Sequence, residues 1–334
     1  FSGTKIKWIL DSDKKIRKQA EDGELLFGTI DTWLIWNLTS KKIHATDCTN
    51  ASRTLLFNIH KLKWDDELIS LLNIPKKLLP KVYDSSQKIG FTDASVLGIS
   101  IPICGVAGDQ QAALFGQMCI DPGDVKNTYG TGCFCMMNTG LKAVKSNNKM
   151  LTTIAWKIGK ETNYALEGSV FIGGALVQWL RDQLNIINNA SEIEELAKTV
   201  NDNGGVTFIS ALAGLGAPYW NSNATGAIMG ITRGTQKGHI ARAALEAIAL
   251  RSREIIIEMQ KDSGTRFEKL KVDGGASNNN LLMQIQSNLL NTQVIRPKIT
   301  ETTALGVAFF AGLASGFWDS IEQVKNIWEI DREF

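Results

Sequence analysis

The sequence predicts an α/β fold in which mixed sheets are flanked by helices. Apolar runs of strand length alternate with helical stretches along most of the 334 residues. Residues 125–166, however, have the pattern of successive hairpin strands, which pair antiparallel rather than parallel. The chain is long enough for two domains, and Asp121-Pro122-Gly123 has the composition of a turn between them. We therefore expect two units, at residues 1–117 and 118–334.

The first unit is predicted to alternate helices with short strands. Polar residues able to cap a helix precede the helical stretches, short apolar runs indicate buried strands, and prolines interrupt helices. In chain order we expect a helix from Ser2 to near Gly23, a buried strand at 25–29, a helix capped by Asp31 and Thr32, an edge strand at 43–47, a polar turn at 49–54, helical pieces broken by Pro75 and Pro80 within 65–82, a loop or irregular strands at 84–100, a buried strand at 101–107 and a helix from Gln111.

The second unit is predicted to begin with a β-hairpin. Two segments with strand composition, 125–129 and 133–138, flank the tight turn Gly130-Thr131-Gly132. The longest helix, at 238–262, has apolar residues at spacings that approximate one face. The remaining segments are strands at 151–157, 162–166, 206–210, 270–273 and 294–295, and helices containing 173–179 and at 191–200, 278–290 and 303–315.

Composition excludes several classes of function. With 36 basic and 34 acidic residues the net charge is +2, so no whole-protein field favours nucleic acid. The five cysteines form no disulfide framework and predict free thiols in a reducing cytoplasm. The three histidines lack metal spacing, which argues against a zinc site or a histidine-based triad. No apolar run approaches the roughly 20 residues that span a bilayer, and the first residues do not have the pattern expected of a signal peptide.

Asp109 is the candidate catalytic residue. It stands where the strand at 101–107 ends and the next helix begins. In open α/β sheets ligands collect at the carboxyl ends of strands, so a carboxylate at this position is well placed for chemistry. The alternative is structural, because an aspartate before a helix can serve only as its N-cap.

Three glycine-containing turns are candidate phosphate-binding elements: Gly108-Asp109, Gly130-Thr131-Gly132 and Gly274-Gly275-Ala276-Ser277. Glycine lets backbone N–H groups approach a ligand closely, and such groups bind phosphate well. Each turn also has a structural alternative, namely plain hairpin geometry for the second and a helix capped by Ser277 for the third. Neither a P-loop nor a G-x-G-x-x-G motif is present, so any nucleotide binds by another architecture.

Taken together, these motifs resemble the FGGY carbohydrate kinases, and above all the members that phosphorylate glycerol. The resemblance covers essentially the whole chain and implies the actin-like (ribonuclease H-like) ATPase fold. It makes 1–117 the C-terminal part of the FGGY N-terminal domain, on the substrate side, and 118–334 the C-terminal domain, on the ATP side. The stretches that carry the resemblance include Gly28-Thr29-Ile30-Asp31-Thr32-Trp33, Thr49-Asn50-Ala51-Ser52-Arg53-Thr54, Gly108-Asp109-Gln110-Gln111, Lys126-Asn127-Thr128-Tyr129-Gly130-Thr131-Gly132, Gly214-Leu215-Gly216-Ala217-Pro218-Tyr219-Trp220 and Asp273-Gly274-Gly275-Ala276.

The same resemblance implies ATP- and Mg²⁺-dependent phosphorylation of glycerol to sn-glycerol 3-phosphate. Asp109 would be the general base, Gln110 would hydrogen-bond the polyol, and Phe134 would lie against its carbon skeleton. Thr131 would meet the β- and γ-phosphates. The adenosine end would be framed by Gly174, Gln178, Gly275 and Asn279. The resemblance also implies a homo-oligomer, dimer or tetramer, for the full-length protein.

The chain departs from the family's pattern in two respects. The family's N-terminal segment, with a first phosphate loop and an Arg-Glu pair for glycerol, lies outside this sequence, as does the extreme C-terminus. We therefore expect a fragment that is inactive or nearly so by itself. Residues 94–103 lack the loop that binds fructose bisphosphate in some relatives and the histidine that is phosphorylated in others. The alternatives are another FGGY sugar or alditol kinase and a non-catalytic actin-like nucleotide-binding scaffold.

Overall fold

The computed structural model describes all residues, 1–334. Its helices are α1 Ser2–Ser12, α2 Lys14–Asp22, α3 Ile30–Leu38, α4 Cys48–Ala51, α5 Asp66–Leu71, α6 Ala94–Leu97, α7 Asp109–Gly116, α8 Gly174–Asp182, α9 Glu192–Lys198, α10 Lys237–Ser263, α11 Asn280–Leu290, α12 Thr302–Ser315 and α13 Ile321–Lys325. Its strands are β1 Ala45–Asp47, β2 Phe57–Asn58, β3 Lys63–Trp64, β4 Lys81–Tyr83, β5 Ser86–Phe91, β6 Pro102–Gly105, β7 Val125–Tyr129, β8 Cys133–Gly140, β9 Leu151–Ile158, β10 Glu161–Val170, β11 Thr207–Ile209, β12 Ala227–Met229, β13 Lys269–Asp273, β14 Gln293–Pro297 and β15 Ile330–Glu333. Short 3-10 helices span Lys76–Leu78 and Gly275–Asn278.

A seven-stranded mixed sheet dominates the second half of the chain. Its strand order is β15-β14-β13-β7-β8-β10-β9. Strand β13 lies parallel to β14 and β7, whereas the other neighbours pair antiparallel. The remaining strands form four two-stranded pairs, β1-β4, β2-β3, β5-β6 and β11-β12. The predicted mixed sheet with flanking helices is therefore confirmed.

The two largest of five apolar clusters pack helices against the large sheet. The larger one lies between the sheet and the helices α8 to α11, and includes the inner face of α10. The smaller one lies under α7 and α12, where the rings of Phe115 and Phe310 stack with centroids 4.3 Å apart. No helix combines the length and the apolarity needed to span a membrane.

Helices α7 and α12 touch through backbone atoms. A Cβ added to Gly306 would lie 1.8 Å from the carbonyl oxygen of Ala112, and one added to Gly116 would lie 2.0 Å from that of Thr302. Such distances are impossible for real side chains, so both positions require glycine. Helices α7 and α12 therefore occupy fixed positions relative to one another.

The structure corrects several local predictions. Residues 25–29 form no strand, and Leu26 is 48% exposed, because this apolar run has no neighbouring strand to pair with. The predicted first helix is two helices, since Asp13 accepts hydrogen bonds from the backbone N–H groups of Lys15 and Ile16 and so caps α2. The predicted polar turn at 49–54 begins inside the short helix α4. The short elements β12, α13 and β15 were not predicted.

Candidate functional site

A cavity of about 570 Å³ opens beside the β7–β8 turn, a volume typical of small-molecule sites. The turn, α8, α9, α10 and the start of α11 form its walls. All five residues predicted to bind nucleotide line it: Thr131, Gly174, Gln178, Gly275 and Asn279. The structure thus brings together residues that are spread over almost 150 positions of sequence.

The Gly130-Thr131-Gly132 turn is fixed against the N-terminus of α8. Backbone N–H groups of Gly173 and Ala175 donate to the carbonyl of Thr131 at 2.8 and 3.0 Å, and that of Gly174 donates to Gly130 at 2.8 Å. The Thr131 side chain is exposed and its hydroxyl has no partner within the chain. The first N–H groups of α8 are therefore already used, and the Thr131 hydroxyl is the donor that remains open. The dipole of α8 adds positive potential at its N-terminus, so this end of the cavity is suited to phosphate.

Gly274 and Gly275, in the turn that follows β13, are glycine for different reasons. Gly274 has a φ of +82°, and a Cβ there would lie 2.6 Å from the carbonyl oxygen of Tyr129. A Cβ on Gly275 would meet no protein atom within 4 Å. Packing within the chain therefore explains Gly274, whereas the missing side chain of Gly275 serves to keep the cavity open.

The two amide residues of the cavity differ in their surroundings. Gln178 is exposed on α8, and its side chain makes no hydrogen bond within the chain. The Oδ1 atom of Asn279 accepts from the backbone N–H of Leu282 at 2.9 Å and so caps α11. Asn279 therefore has a structural role, and its Nδ2 group makes no hydrogen bond within the chain.

The apolar end of the cavity was missed by sequence reasoning. It is lined by Val177, Ile193, Leu245, Ile248 and Leu282. Leu245 and Ile248 are fully buried members of the larger core as well as part of the cavity wall, so the sequence indicates only their place in the core. An apolar slot at one end and a glycine turn beside a helix N-terminus at the other fit a flat base followed by a phosphate chain.

Asp109 is the first residue of α7, and Gly108 occupies the N-cap position. The Asp109 carboxylate is exposed, and its Oδ1 accepts only from the backbone N–H of the next residue, Gln110, at 2.9 Å. Its Oδ2 accepts from the Gln110 side-chain amide at 3.3 Å. Asp109 is therefore not the N-cap, and its carboxylate is open to a ligand.

The backbone just before Asp109 is anchored from the first half of the chain. The Thr49 hydroxyl accepts from the Gly108 backbone N–H at 2.8 Å and donates to the Asp47 carboxylate at 2.8 Å. Asp47 is completely buried and also accepts from the Ser85 hydroxyl at 2.9 Å and from Asn50. Burial raises the pKa of Asp47 to about 6. At neutral pH the carboxylate is ionised and holds Thr49 in the orientation that Gly108 requires.

A buried lysine connects the predicted substrate-binding residues. Lys126 on β7 is fully buried, and its ammonium donates to the Gln110 side-chain oxygen, to the Thr128 hydroxyl at 2.8 Å and to the Phe134 carbonyl at 3.3 Å. Burial lowers the pKa of Lys126. Asp109, Gln110 and Phe134 are thus neighbours, although none of them lines the 570 Å³ cavity. The β7–β8 hairpin connects this group to the cavity.

An ion pair between Arg53 and Glu167 lies close to Asp109. The Arg53 guanidinium donates to the buried Glu167 carboxylate at 2.8 Å. Burial raises the pKa of Glu167, and the nearby charges of Arg53 and Lys126 oppose that rise. Sequence reasoning assigned no role to Lys126, Arg53 or Glu167, and the one available signal was a lysine inside a segment predicted to be a strand of the hairpin. No three His, Cys, Asp or Glu side chains are grouped so as to hold a metal ion.

Comparison with known proteins decides the family. Residues 1–116 match the N-terminal domain and residues 125–315 the C-terminal domain of the FGGY family of carbohydrate kinases. The chain belongs to the FGGY carbohydrate kinases. Among curated FGGY kinases, it is 60% identical to glycerol kinase 2 of Thermotoga maritima and 58% identical to the glycerol kinase of Deinococcus radiodurans. Both matches cover all 334 residues of this chain and 67% of the relative.

Solved structures of FGGY kinases share the fold. Plasmodium falciparum glycerol kinase with ADP superposes with a TM-score of 0.92 at 39% identity, over the whole of this chain and 67% of that one. A ligand-bound xylulose kinase from Lactobacillus acidophilus superposes with a TM-score of 0.81 at 25% identity, over 91% of this chain and 62% of that one. The predicted actin-like kinase fold is therefore confirmed.

Proposed function

We propose that this chain carries the ATP-binding half and the catalytic base of a glycerol kinase, which converts ATP and glycerol to ADP and sn-glycerol 3-phosphate. The observation that carries the proposal is identity of about 60% to glycerol kinases over the whole chain. Identity to the Plasmodium glycerol kinase is 39%, against 25% to the xylulose kinase, which favours glycerol over a pentulose.

The substrate end of the site supplies a base and orienting contacts. Asp109 takes the proton of the glycerol hydroxyl that attacks the γ-phosphate, since its carboxylate is exposed and makes no competing cap. The Gln110 amide nitrogen, which lies beside that carboxylate, donates to the polyol. The half-buried ring of Phe134 covers the carbon skeleton.

The nucleotide end supplies donors and shape. The Thr131 hydroxyl offers a hydrogen-bond donor to the β- and γ-phosphates, and the dipole of α8 adds positive potential at its N-terminus. Gly174, Gln178, Gly275 and Asn279 frame the adenosine, with its base toward the apolar end. Mg²⁺ accompanies ATP and offsets phosphate charge when bound.

The proposal extends to the organisation of the whole protein. We place the boundary between the substrate-side and ATP-side domains near residue 117, between the two matched family domains. A cytoplasmic location is supported by the five cysteines, all of which are free thiols. We expect a homodimer or homotetramer of the full-length protein, which sedimentation velocity would measure.

The decisive experiment replaces the base. Asp109→Asn in the full-length protein should lower kcat for glycerol phosphorylation by about 10²- to 10⁴-fold while ATP binding is retained. Asp121→Asn, which changes an exposed carboxylate in a turn outside the site, is the matched control. Unchanged turnover in Asp109→Asn would exclude this residue as the base. ATP binding without turnover of any polyol by the wild type would favour the actin-like scaffold, and turnover of another polyol in preference to glycerol would favour a different FGGY kinase.

A further inference from the structure

Lys126 places a charged side chain in the interior of the protein. Its side chain is fully buried, and all three ammonium donors are used, on Gln110, Thr128 and Phe134. A buried ammonium is costly to desolvate, whereas an unbranched apolar side chain of similar length could fill the same space. Stability alone therefore gives no reason for a charge at this position.

The ammonium determines which way the Gln110 amide faces. An ammonium has three donors and no acceptor, so the group of Gln110 that meets it must be the carbonyl oxygen. The Nε2 group is thereby turned toward the Asp109 carboxylate, to which it donates at 3.3 Å. With the opposite orientation, the carbonyl oxygen of Gln110 would face the Asp109 carboxylate, and the donor would be lost from the ligand side.

The contact also joins two parts of the fold. Gln110 belongs to α7, whereas Lys126 belongs to β7 of the seven-stranded sheet. At the other end of α7, Lys271 on β13 donates to the carbonyls of Gln117 and Met118 at 3.0 and 2.7 Å. Sheet lysines therefore hold both ends of the helix, but only Lys126 contacts a side chain at the predicted substrate site.

We propose that Lys126 is a positioning residue that fixes the Gln110 amide, and through it the Asp109 carboxylate, for recognition of the substrate hydroxyls. The inference rests on the proposed function, because it concerns the same substrate site. Opposite charges that act on the ammonium come from Asp273, Glu167 and Asp109. Removing the ammonium leaves the Gln110 carbonyl without its donor, and the amide becomes free to rotate.

The test compares Lys126→Met with Lys271→Met in the full-length protein. Lys126→Met should raise KM for glycerol about tenfold or more and lower kcat, with KM for ATP within about twofold of wild type. Lys271→Met removes an ammonium from the other end of α7 and should leave KM for glycerol within about twofold. Equal changes in KM for glycerol and ATP in Lys126→Met, or no change in either, would overturn the proposal.

A readout without turnover separates this proposal from the proposed function. The side-chain ¹⁵N–¹H₂ resonances of Gln110, or a crystal structure, should show a reoriented or mobile amide in Lys126→Met and an unchanged amide in Lys271→Met. An unchanged amide in both overturns the role of Lys126 even if glycerol is the substrate. A reoriented amide supports that role even if the wild type does not phosphorylate glycerol.

A gentler pair of variants serves if Lys126→Met does not fold. Thr128→Val removes one acceptor of the ammonium, whereas Thr128→Ser keeps it. The valine variant should raise KM for glycerol by about two- to fivefold and shift the Gln110 amide resonances. The serine variant should leave both KM and the resonances close to those of the wild type. Identical behaviour of the two variants would contradict the proposal.

Discussion

The Thr49 hydroxyl offers the most direct test of how the Asp109 segment is held. Thr49→Val keeps the shape of the side chain but removes both of its hydrogen bonds, to Asp47 and from the Gly108 backbone N–H. The buried N–H then lacks an acceptor, which costs about 1–3 kcal/mol, and a bond to a charged group worth about 1.5–3 kcal/mol is lost. Because Asp47 keeps its bonds from Ser85 and Asn50, the lower halves of those ranges apply. We expect a loss of about 3 kcal/mol in the free energy of unfolding.

The measurement is urea unfolding at pH 7.5, where Asp47, with a pKa of about 6, is ionised. Thr49→Ser is the control, since it keeps the hydroxyl and loses one methyl group, at a cost of about 1 kcal/mol. Thr49→Val should therefore lie about 2 kcal/mol below Thr49→Ser, with an unchanged dependence on urea concentration. Because Gly108 directly precedes Asp109, kcat should fall more in the valine variant as well. Equal stability of the two variants would refute the role assigned to this hydroxyl.

Three further predictions concern the cavity, the helix crossing and pH. Gly275→Val should weaken ATP binding by about tenfold or more with little loss of stability, since Gly275 lines the cavity and its added Cβ meets no protein atom within 4 Å, as calorimetric titration and thermal melting would show. Gly306→Ala should destabilise the fold by about 3 kcal/mol or more in urea unfolding, because its Cβ would overlap the Ala112 carbonyl, whereas Gly316→Ala, with no atom within 4 Å but a φ of +75°, should cost about 1 kcal/mol. Because burial raises the pKa of Asp47 from 3.8 to about 6, its protonation favours the folded state. Its contribution to the free energy of unfolding should therefore fall by about 3 kcal/mol as pH rises from about 4 to about 6, a dependence that Asp47→Asn should lack.

Local patterns predicted the fold well where the pattern and the contact are close in sequence. The hairpin of β7 and β8 follows from two strand-like segments around a glycine turn, and it is one of the four antiparallel pairings that make the large sheet mixed. The run at 25–29 is apolar but forms no strand, because a strand also needs a neighbouring strand to pair with. Composition shows that a segment is apolar, but it does not show whether a neighbouring strand is available.

The candidate site was predictable where its residues lie in turns and was not predictable where distant residues meet. Glycines and Thr131 in short motifs indicated the phosphate end of the cavity. The bond from Lys126 to Gln110 and that from Gly108 to Thr49 span 16 and 59 positions, and no periodicity marks such contacts. The apolar end of the cavity could not be predicted for another reason. Leu245, which lines it, has the residue type and the helical spacing of the core residues of α10.

The helix that bears Asp109 is packed as part of the second half of the chain. Its backbone touches α12 with no side chain between them, and the Phe115–Phe310 stack lies beside this contact. Lysines of the large sheet, Lys126 and Lys271, hold its two ends. Separating α7 from these neighbours would expose the aromatic stack, take the Gln110 acceptor from Lys126 and take the Gln117 and Met118 acceptors from Lys271, so we expect the helix and the sheet to move as one unit. In the proposed reaction, the base and the glycine turn that receives the phosphates are therefore aligned by folding, and substrate binding need not supply the energy to bring them together.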